Sequence, residues 1–341
     1  MKSIDKKDVI DMLKDWTNEY HVLCPNKKIN DDCIFDGFEQ DHFTLDYGKL
    51  SFCLKSAFFP QSEIIFEVED NQYHEVISSE KTILFGIRAC DMMGILQSSS
   101  FMSRDYGDVY YSAKDDATIK VVMACPGPQN ETCFCTTTNS GPFAEKGFDL
   151  QFFDMGEEFL VEVGSKKGKE LISGELFTDI DSGDAKGKIA AFKKKASEAI
   201  PKVDEIKSVM EMLKNGVVED EEWEEFGQKC IACGGCAFVC PTCTCFNVYD
   251  LARDGSGMRV RGWDTCLYGG FTREASMHNP RPTQGSRLKR RYEHKLKDYN
   301  EQDLQGGLCT CVGCGRCSDV CPVDIGILNL VLAISRDYKS G

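Results

Sequence analysis

Residues 230–241 read Cys230-Ile-Ala-Cys233-Gly-Gly-Cys236-Ala-Phe-Val-Cys240-Pro241, and residues 311–322 read Cys311-Val-Gly-Cys314-Gly-Arg-Cys317-Ser-Asp-Val-Cys321-Pro322. Both stretches, the first run and the second run, have the pattern C-x2-C-x2-C-x3-C-P, which is typical of bacterial ferredoxins. In such a run three cysteines bind one iron–sulfur cluster, and the cysteine before proline binds the other. The predicted ligand sets are therefore Cys230, Cys233, Cys236 and Cys321 for cluster 1, and Cys311, Cys314, Cys317 and Cys240 for cluster 2.

Zinc is the competing interpretation of cysteines at this density. Zinc sites usually combine two separated C-x2-4-C pairs, whereas each run here has three closely spaced cysteines followed by Cys-Pro. The spacing therefore favours two 4Fe-4S clusters. A zinc-stapled scaffold without a redox role is the weaker alternative.

The overall composition limits the class of protein. The chain has 341 residues, a formal net charge of −15 and 19 cysteines. Its length suggests about two domains, and its acidic balance argues against binding to nucleic acid, which needs a basic surface. Because the cysteines cluster in ferredoxin runs, they indicate metal-bound thiolates in a reducing compartment rather than disulfides. The N-terminus lacks an apolar signal segment and no apolar run could span a bilayer, so we expect a cytoplasmic protein from an anaerobic or low-oxygen setting.

The hydrophobic pattern predicts an α/β N-terminal domain over residues 1–217 plus an α-helical ferredoxin-like C-terminal domain over residues 218–341. The two runs lie 81 residues apart, from Cys230 to Cys311. This long insertion favours a helical ferredoxin domain over the compact, strand-rich kind. The main predicted elements are helices over 4–18, 188–200 and 203–213 and strands over Thr82–Ile87, Thr118–Ala124 and Phe159–Val163.

Four more cysteines are predicted to meet in the N-terminal domain. Cys90 and Cys125 each follow a predicted strand, and the carboxyl ends of strands are where α/β sheets usually place ligands. Cys133-Phe-Cys135 lies on a later loop that is long enough to fold back toward them. Spacing alone leaves two interpretations open, a third cluster or free cysteines buried in a core. The candidate ligands are Cys90, Cys125, Cys133 and Cys135.

Three cysteines shortly after the first run form a further candidate metal site. They are Cys243, Cys245 and Cys266, one fewer than the usual complement of a four-iron cluster. His278, His294 or Cys309 could complete the site, and an open coordination position there would be a candidate for catalysis. The alternative is that these cysteines are structural thiols packed near the ferredoxin core.

Nucleotide-binding motifs are missing from the sequence. Gly255-Ser-Gly257 lacks the third glycine of a dinucleotide fingerprint, and residues 164–170 lack the spacing of a phosphate-binding loop. The sequence therefore predicts no NAD, FAD or ATP site. A basic stretch, Arg287–Arg291 with His294, Lys295 and Lys297, is interpreted as a solvated helix face. The alternative is a patch that neutralises anionic clusters or docks an acidic partner.

Motifs spread along most of the chain resemble a known family. They are Ala89-Cys90-Asp91, Cys133-Phe-Cys135, residues 146–150, 159–164 and 229–245, Arg261-Gly-Trp-Asp-Thr-Cys266, His278-Asn279, Arg281-Pro-Thr283 and residues 311–317. Together they resemble the iron–sulfur beta subunit of cytoplasmic sulfhydrogenases and, more distantly, an iron–sulfur subunit of anaerobic sulfite reductases. The chain departs from the family at Ser276-Met277, where the family has Gly-Gly, at Pro280, which replaces an aromatic residue, and at the extra Cys309.

The resemblance implies an electron-transfer subunit of a hetero-oligomeric oxidoreductase that is not catalytic alone. Such a subunit relays single electrons between a flavin- and NAD(P)-binding partner and a second redox partner of the hydrogenase, sulfite reductase or bifurcase type, or a ferredoxin. The resemblance also implies a third 4Fe-4S cluster on Cys90, Cys125, Cys133 and Cys135. The alternative is a catalytic iron–sulfur subunit that reduces a sulfur compound or disulfide at an open cluster on Cys243, Cys245 and Cys266.

Overall fold

The computed structural model describes residues 1–28, 32–48, 50–70, 72–253 and 255–339. The strands are β1 (Lys2–Asp5), β2 (His21–Lys27), β3 (Cys33–Gly37), β4 (Ser62–Glu69), β5 (Gln72–Glu75), β6 (Thr82–Ile87), β7 (Thr118–Met123), β8 (Leu150–Asp154), β9 (Glu158–Val163), β10 (Thr178–Asp179), β11 (Phe246–Arg253) and β12 (Ser256–Trp263). The helices are α1 (Val9–Trp16), α2 (Ala89–Met102), α3 (Val109–Ala117), α4 (Lys166–Leu171), α5 (Ser182–Ala199), α6 (Glu205–Lys214), α7 (Asp220–Lys229), α8 (Gly235–Phe238), α9 (Gln284–Leu296), α10 (Glu301–Leu304), α11 (Arg316–Asp319) and α12 (Ile327–Lys339). Within these ranges, no helix has the length and apolar character needed to cross a membrane.

A mixed sheet of eight strands organises the N-terminal half. Its strand order is β10-β1-β9-β8-β7-β6-β2-β3, with parallel pairing from β2 through β6 and β7 to β8. Parallel strands need crossover connections, and α2 and α3 provide the one between β6 and β7. Both central strands are mostly apolar because the sheet is covered on both faces: Phe85 and Val121 belong to one core, and Leu84 and Val122 to another.

The predicted strands at 82–87, 118–124 and 159–163 are present as β6, β7 and β9, and the two predicted lysine-rich helices are present as α5 and α6. The predicted helix over residues 4–18 is wrong at its start. Residues 2–5 form β1 instead, where Ile4 pairs with Phe159 in the large sheet, and α1 begins only at Val9. The sheet ladder therefore overrides the helical spacing of Ile4.

A second sheet joins segments that are far apart in sequence. Its order is β11-β12-β4-β5, and β12 pairs antiparallel with β4 from Gly257 opposite Val68 to Gly262 opposite Ser62. The hairpin β11–β12 was not expected in a purely helical C-terminal domain, so the region after residue 217 is mixed rather than all-helical. The sheet contains strands from both predicted domains, and the division at residues 217 and 218 stays a prediction.

Helices α6, α7, α9 and α12 share one hydrophobic core, in which Trp223, Tyr292 and Ile334 are buried. Helices α7 and α9 approach closely where Gly227 faces Gly285, since a Cβ atom on Gly227 would lie only 2.6 Å from the Cα atom of Gly285. Cysteines of both runs pack against this core. The helices therefore form the scaffold that holds the two runs side by side.

Candidate metal centres

The two runs share the same local backbone. Gly234 and Gly315 both have φ 74° and ψ −9°, and each directly precedes a short helix, α8 or α11, that carries the third cysteine of its run. Glycine adopts this left-handed conformation without the strain that a Cβ atom would add. The repeat in sequence is therefore also a repeat in structure.

The four predicted ligands of cluster 1 line one small cavity. Cys230, Cys233, Cys236 and Cys321 share this cavity with apolar side chains. Burial raises the pKa of Cys236 to about 11, and the nearby Cys230 and Cys321 thiols raise it as well. The Gln284 side-chain amide donates a hydrogen bond to Cys230 Sγ at 3.2 Å, and the Ile325 backbone N–H donates to Cys321 Sγ at 3.4 Å. These donors favour negatively charged sulfur at both positions.

The predicted ligands of cluster 2 also come together across the two runs. Burial raises the pKa of Cys314 to about 12, and the nearby thiols of Cys240 and Cys317 raise it as well. Burial likewise raises the pKa of Cys311, and the nearby Cys317 and Cys314 thiols raise it as well. Cys240 belongs to the first run, so this grouping has the exchange of the fourth cysteine that a ferredoxin pairing requires.

The second run packs against the N-terminal half of the chain. The buried Arg316 forms two parallel bonds with Asp91, both at 2.6 Å. The Phe134 backbone N–H donates to the Gly313 carbonyl at 2.9 Å, and a Cβ atom on Gly313 would lie 2.7 Å from the backbone of Phe134. The predicted sites of clusters 2 and 3 are therefore direct neighbours.

The four cysteines predicted to hold cluster 3 lie together beyond the ends of β6 and β7. Cys90 lies in the first turn of α2, and Cys125 follows Ala124 at the end of β7. Burial raises the pKa of Cys135, and the neighbouring Cys125 and Cys133 thiols raise it further. Desolvation raises the pKa of the half-buried Cys90, and the Cys135 thiol raises it as well. The structure thus brings these thiols to one sheet edge, while their role as cluster ligands stays a prediction.

The three cysteines of the candidate fourth site line a cavity of about 600 Å³, together with Arg291, His294 and Lys295. A hydrogen bond from Cys266 lowers the pKa of Cys245 to about 6, and a hydrogen bond from Cys243 lowers the pKa of Cys240. Burial lowers the pKa of His294 to about 4, so its imidazole is neutral at neutral pH. A neutral imidazole can act as a metal ligand.

The basic stretch on α9 is only partly a solvated face. Arg291 is 1% exposed and Lys295 is 4% exposed, so the interpretation is wrong for these two residues. Arg291 donates to the Cys236 carbonyl at 2.8 Å, and Lys295 donates to the carbonyl and hydroxyl of Thr242 at 2.8 and 2.7 Å. The sequence does contain an indication of this burial, because Arg291 and Lys295 follow the apolar Leu288 at helical spacing and therefore share one face of α9 with it.

The donor chemistry fits four-iron clusters at the paired runs. Among the described residues, no three His, Cys, Asp or Glu side chains are arranged to hold a single metal ion. A four-iron cluster instead distributes its cysteine ligands over different irons. The thiols of cluster 1 share one cavity and those of cluster 2 interact across both runs. Each set supplies the four thiolates that such a cluster takes.

Comparison with protein families defines the class of this chain. Two family models match, and both describe a 4Fe-4S dicluster domain. One covers residues 229–325, which include both runs, and the other covers residues 196–243. The chain is therefore a 4Fe-4S dicluster protein, as the spacing of the two runs predicted.

Individual relatives narrow this class to a family. The beta subunit of sulfhydrogenase 2 from Pyrococcus furiosus is 31% identical over 288 residues, which are 84% of this chain and 83% of that protein. The chain belongs to the family of sulfhydrogenase beta subunits, so the resemblance drawn from the motifs is confirmed. The beta subunit of the F420-dependent formate dehydrogenase from Methanocaldococcus jannaschii is 26% identical over 176 residues, 48% of this chain and 35% of that protein. No solved structure matches the chain.

Proposed function

We propose that the chain is the iron–sulfur electron-transfer subunit of a cytoplasmic, multi-subunit oxidoreductase and is not catalytic by itself. It relays single electrons between a flavin- and NAD(P)-binding partner and a second redox partner of the hydrogenase, sulfite reductase or bifurcase type. Both relatives described above are named as beta subunits of oxidoreductases, which supports a hetero-oligomer. The observation that carries the proposal is the adjacency of three sets of four cysteines.

The three sets of cysteines are arranged in the order cluster 1, cluster 2, cluster 3. The Cys317 thiol of cluster 2 is close enough to Cys236 of cluster 1 to raise its pKa. On the other side of cluster 2, Cys314 lies within reach of both Cys90 and Cys135 of cluster 3. Electrons tunnel efficiently only over short distances, so this arrangement supports a relay in which cluster 2 connects clusters 1 and 3.

Cluster 1 is the end of the relay that a partner can reach from solvent. Cys233 is exposed, and the neighbouring Ile231 is 62% exposed. By contrast, Cys311 and Cys314 of the second run are each 8% exposed. An apolar side chain beside a solvent-facing ligand suits transient docking of a redox partner.

The chain's own residues would set the reduction potentials of the clusters. The backbone N–H of Ile327 donates to Cys317 Sγ at 3.4 Å, as Ile325 does to Cys321. Hydrogen bonds to sulfur and burial are two of the means by which proteins tune such clusters over their wide range of potentials. The buried cations Arg291 and Lys295 add positive charge near clusters 1 and 2, which favours the reduced state.

A reductive titration of the full chain tests this function. Anaerobically purified protein is titrated with dithionite while absorbance and electron paramagnetic resonance are recorded. We expect at least about three electrons per chain, one for each of three 4Fe-4S clusters. Cys53→Ser, at a buried cysteine outside the ligand sets, is the control and should accept the same number. A chain that binds zinc and accepts no electrons would contradict the proposal.

A further inference from the structure

We propose that the chain holds a fourth iron–sulfur cluster in the 600 Å³ cavity beside cluster 2, bound by Cys243, Cys245 and Cys266 with His294 as the fourth ligand. The proposal rests on the proposed electron-transfer function and adds a station to it. It also gives the cluster a complete ligand set, without the open position that catalysis at iron would need.

The hairpin β11–β12 is the element that brings the cysteines together. Phe246, which follows Cys245, pairs with Trp263 at the open end of the hairpin. The Asp264 backbone N–H then donates to the Cys245 carbonyl at 3.0 Å, and Cys266 lies two residues further on. Cys245 and Cys266 both line the cavity as a result. Residues that are 21 positions apart in sequence thus face one cavity because the strands between them form a register-fixed hairpin.

The charge lining this cavity points to an anionic occupant. In the part of the chain that the structure describes, neither Arg291 nor Lys295 is paired with a carboxylate. The buried Arg291 Nε also has no hydrogen-bond partner there. A buried charge is costly unless an opposite charge compensates it.

Two of the three other buried arginines that the structure describes are paired with carboxylates, whereas Arg88 donates to the Tyr47 carbonyl and lies near the Cys125 and Cys90 thiols. Arg261 pairs with Glu63 and Asp108, and Arg316 pairs with Asp91. Arg291 and Lys295 instead face thiols, including Cys243 on the cavity wall and Cys240 of cluster 2. The thiolates of cluster 2 on one side of these cations, and those of the proposed cluster on the other, would supply the missing negative charge.

His294 is the candidate that the structure places in the cavity wall. It lies on α9 between Arg291 and Lys295, and the Thr310 hydroxyl donates to its carbonyl at 2.6 Å, which holds this turn of α9 against the second run. The two other candidate partners lie outside the cavity lining. Cys309 donates to the Cys311 carbonyl, and the exposed His278 follows Met277 on a loop.

The proposed cluster would be a branch from cluster 2. Only Pro241 and Thr242 separate Cys243 from Cys240, which is a predicted ligand of cluster 2. Lys295 donates a hydrogen bond to the Thr242 hydroxyl, which fixes the short segment between the two cysteines where it borders the cavity. The relay would then have three ends, at clusters 1, 3 and 4, joined at cluster 2.

Iron and sulfide analysis of the full chain tests the proposal. The wild-type chain and Cys266→Ser are produced anaerobically and reconstituted with ferrous iron and sulfide. We expect about sixteen irons in the wild type and about four fewer in Cys266→Ser, the content of one cluster. Cys309→Ser is the matched control, since it removes a buried neighbouring thiol outside the cavity, and it should keep the wild-type iron content.

A spectroscopic signature identifies the histidine ligand even if Cys266→Ser folds poorly. Pulsed electron paramagnetic resonance of the reduced wild type should show nitrogen hyperfine coupling from a bound imidazole, and His294→Cys should keep the iron but lose this coupling. A Cys245–Cys266 disulfide in the anaerobic protein, equal iron in wild type and Cys266→Ser, or absence of the nitrogen coupling would overturn the proposal. If the wild type holds about twelve irons, this inference alone fails, whereas fewer than about eight irons would also contradict the proposed function.

Discussion

The first and second runs have the same cysteine spacing and the same glycine conformation, yet they lie in opposite environments. Cys233 in the first run is exposed, whereas the equivalent Cys314 is buried. The first run faces solvent beside Ile231, and the second lies beneath the Cys133–Cys135 loop and the start of α2. The difference teaches that spacing determines which cluster forms, while the surrounding tertiary contacts determine its place in the relay.

The largest expected effect comes from replacing single cysteine ligands in each run by serine. If the fourth cysteine of each run binds the cluster of the other run, Cys321→Ser should damage the same cluster as Cys233→Ser, although Cys321 belongs to the second run. Cys240→Ser should likewise match Cys314→Ser. The measurement is the electron paramagnetic resonance spectrum of each reduced variant together with its iron content. A Cys321→Ser spectrum that matches Cys314→Ser instead would show that each run binds its own cluster.

The next largest effect concerns the buried ion pair of the second run. Arg316→Met leaves Asp91 as an unpaired buried charge, so we expect the free energy of unfolding to fall by about 3–5 kcal/mol. Lys289→Met is the control, because it breaks the exposed pair between α9 and Asp220 of α7 and should cost at most about 1 kcal/mol. Urea unfolding of the anaerobic proteins, followed by circular dichroism, gives both values. Equal losses would contradict the contrast between the runs.

A smaller difference is expected between the two matched glycines. Gly234→Ala and Gly315→Ala both force alanine into the left-handed region, at a cost of about 1–2 kcal/mol each. At Gly315 the new methyl group would overlap both the side chain and the backbone oxygen of Thr132, whereas at Gly234 it meets the movable ring of Tyr268. Overpacking should add about 1–3 kcal/mol to Gly315→Ala alone.

Thermal unfolding of the two glycine variants, followed by circular dichroism under anaerobic conditions, measures this difference. Gly315→Ala should have the lower midpoint. The contrast between a buried and an exposed run would be undermined if Gly234→Ala were equally or more destabilised.

The smallest effect is kinetic. Oxidant should reach the exposed cluster 1 before cluster 2, so ferricyanide should remove the signal that Cys233→Ser abolishes before the signal that Cys314→Ser abolishes. Timed samples analysed by electron paramagnetic resonance would show the order. Simultaneous loss, or earlier loss of the cluster 2 signal, would mean that the burial of the second run gives no protection.

The sequence predicted the parts of the molecule that depend on local spacing. The two runs and the strands β6, β7 and β9 follow from short-range patterns, and Cys90 and Cys125 follow the neighbouring parallel strands β6 and β7 as predicted. Sequence could not reveal what depends on long-range contacts. Ile4 forms a strand because β9 and β10 lie beside it, and hairpin β11–β12 is completed by β4 from the other half of the chain.

The buried cations show the same limit at the site. Arg291 and Lys295 look like part of a solvated basic face until the fold places Cys236 and Thr242 against them. The sequence offers Cys243, Cys245 and Cys266 as a candidate metal site or as structural thiols, and the fold places them in the wall of a cavity that is also lined by these two cations. The pattern of charges alone does not distinguish these cases, because the compensating groups come from distant segments.

Total iron per anaerobically purified chain, combined with Mössbauer spectroscopy, tests the central claim most directly. The account predicts about twelve irons from clusters 1–3, or about sixteen if the fourth site is also filled, all with the signature of 4Fe-4S clusters. Fewer than about eight irons, or zinc in place of iron, would contradict it, because the two paired runs alone require that number.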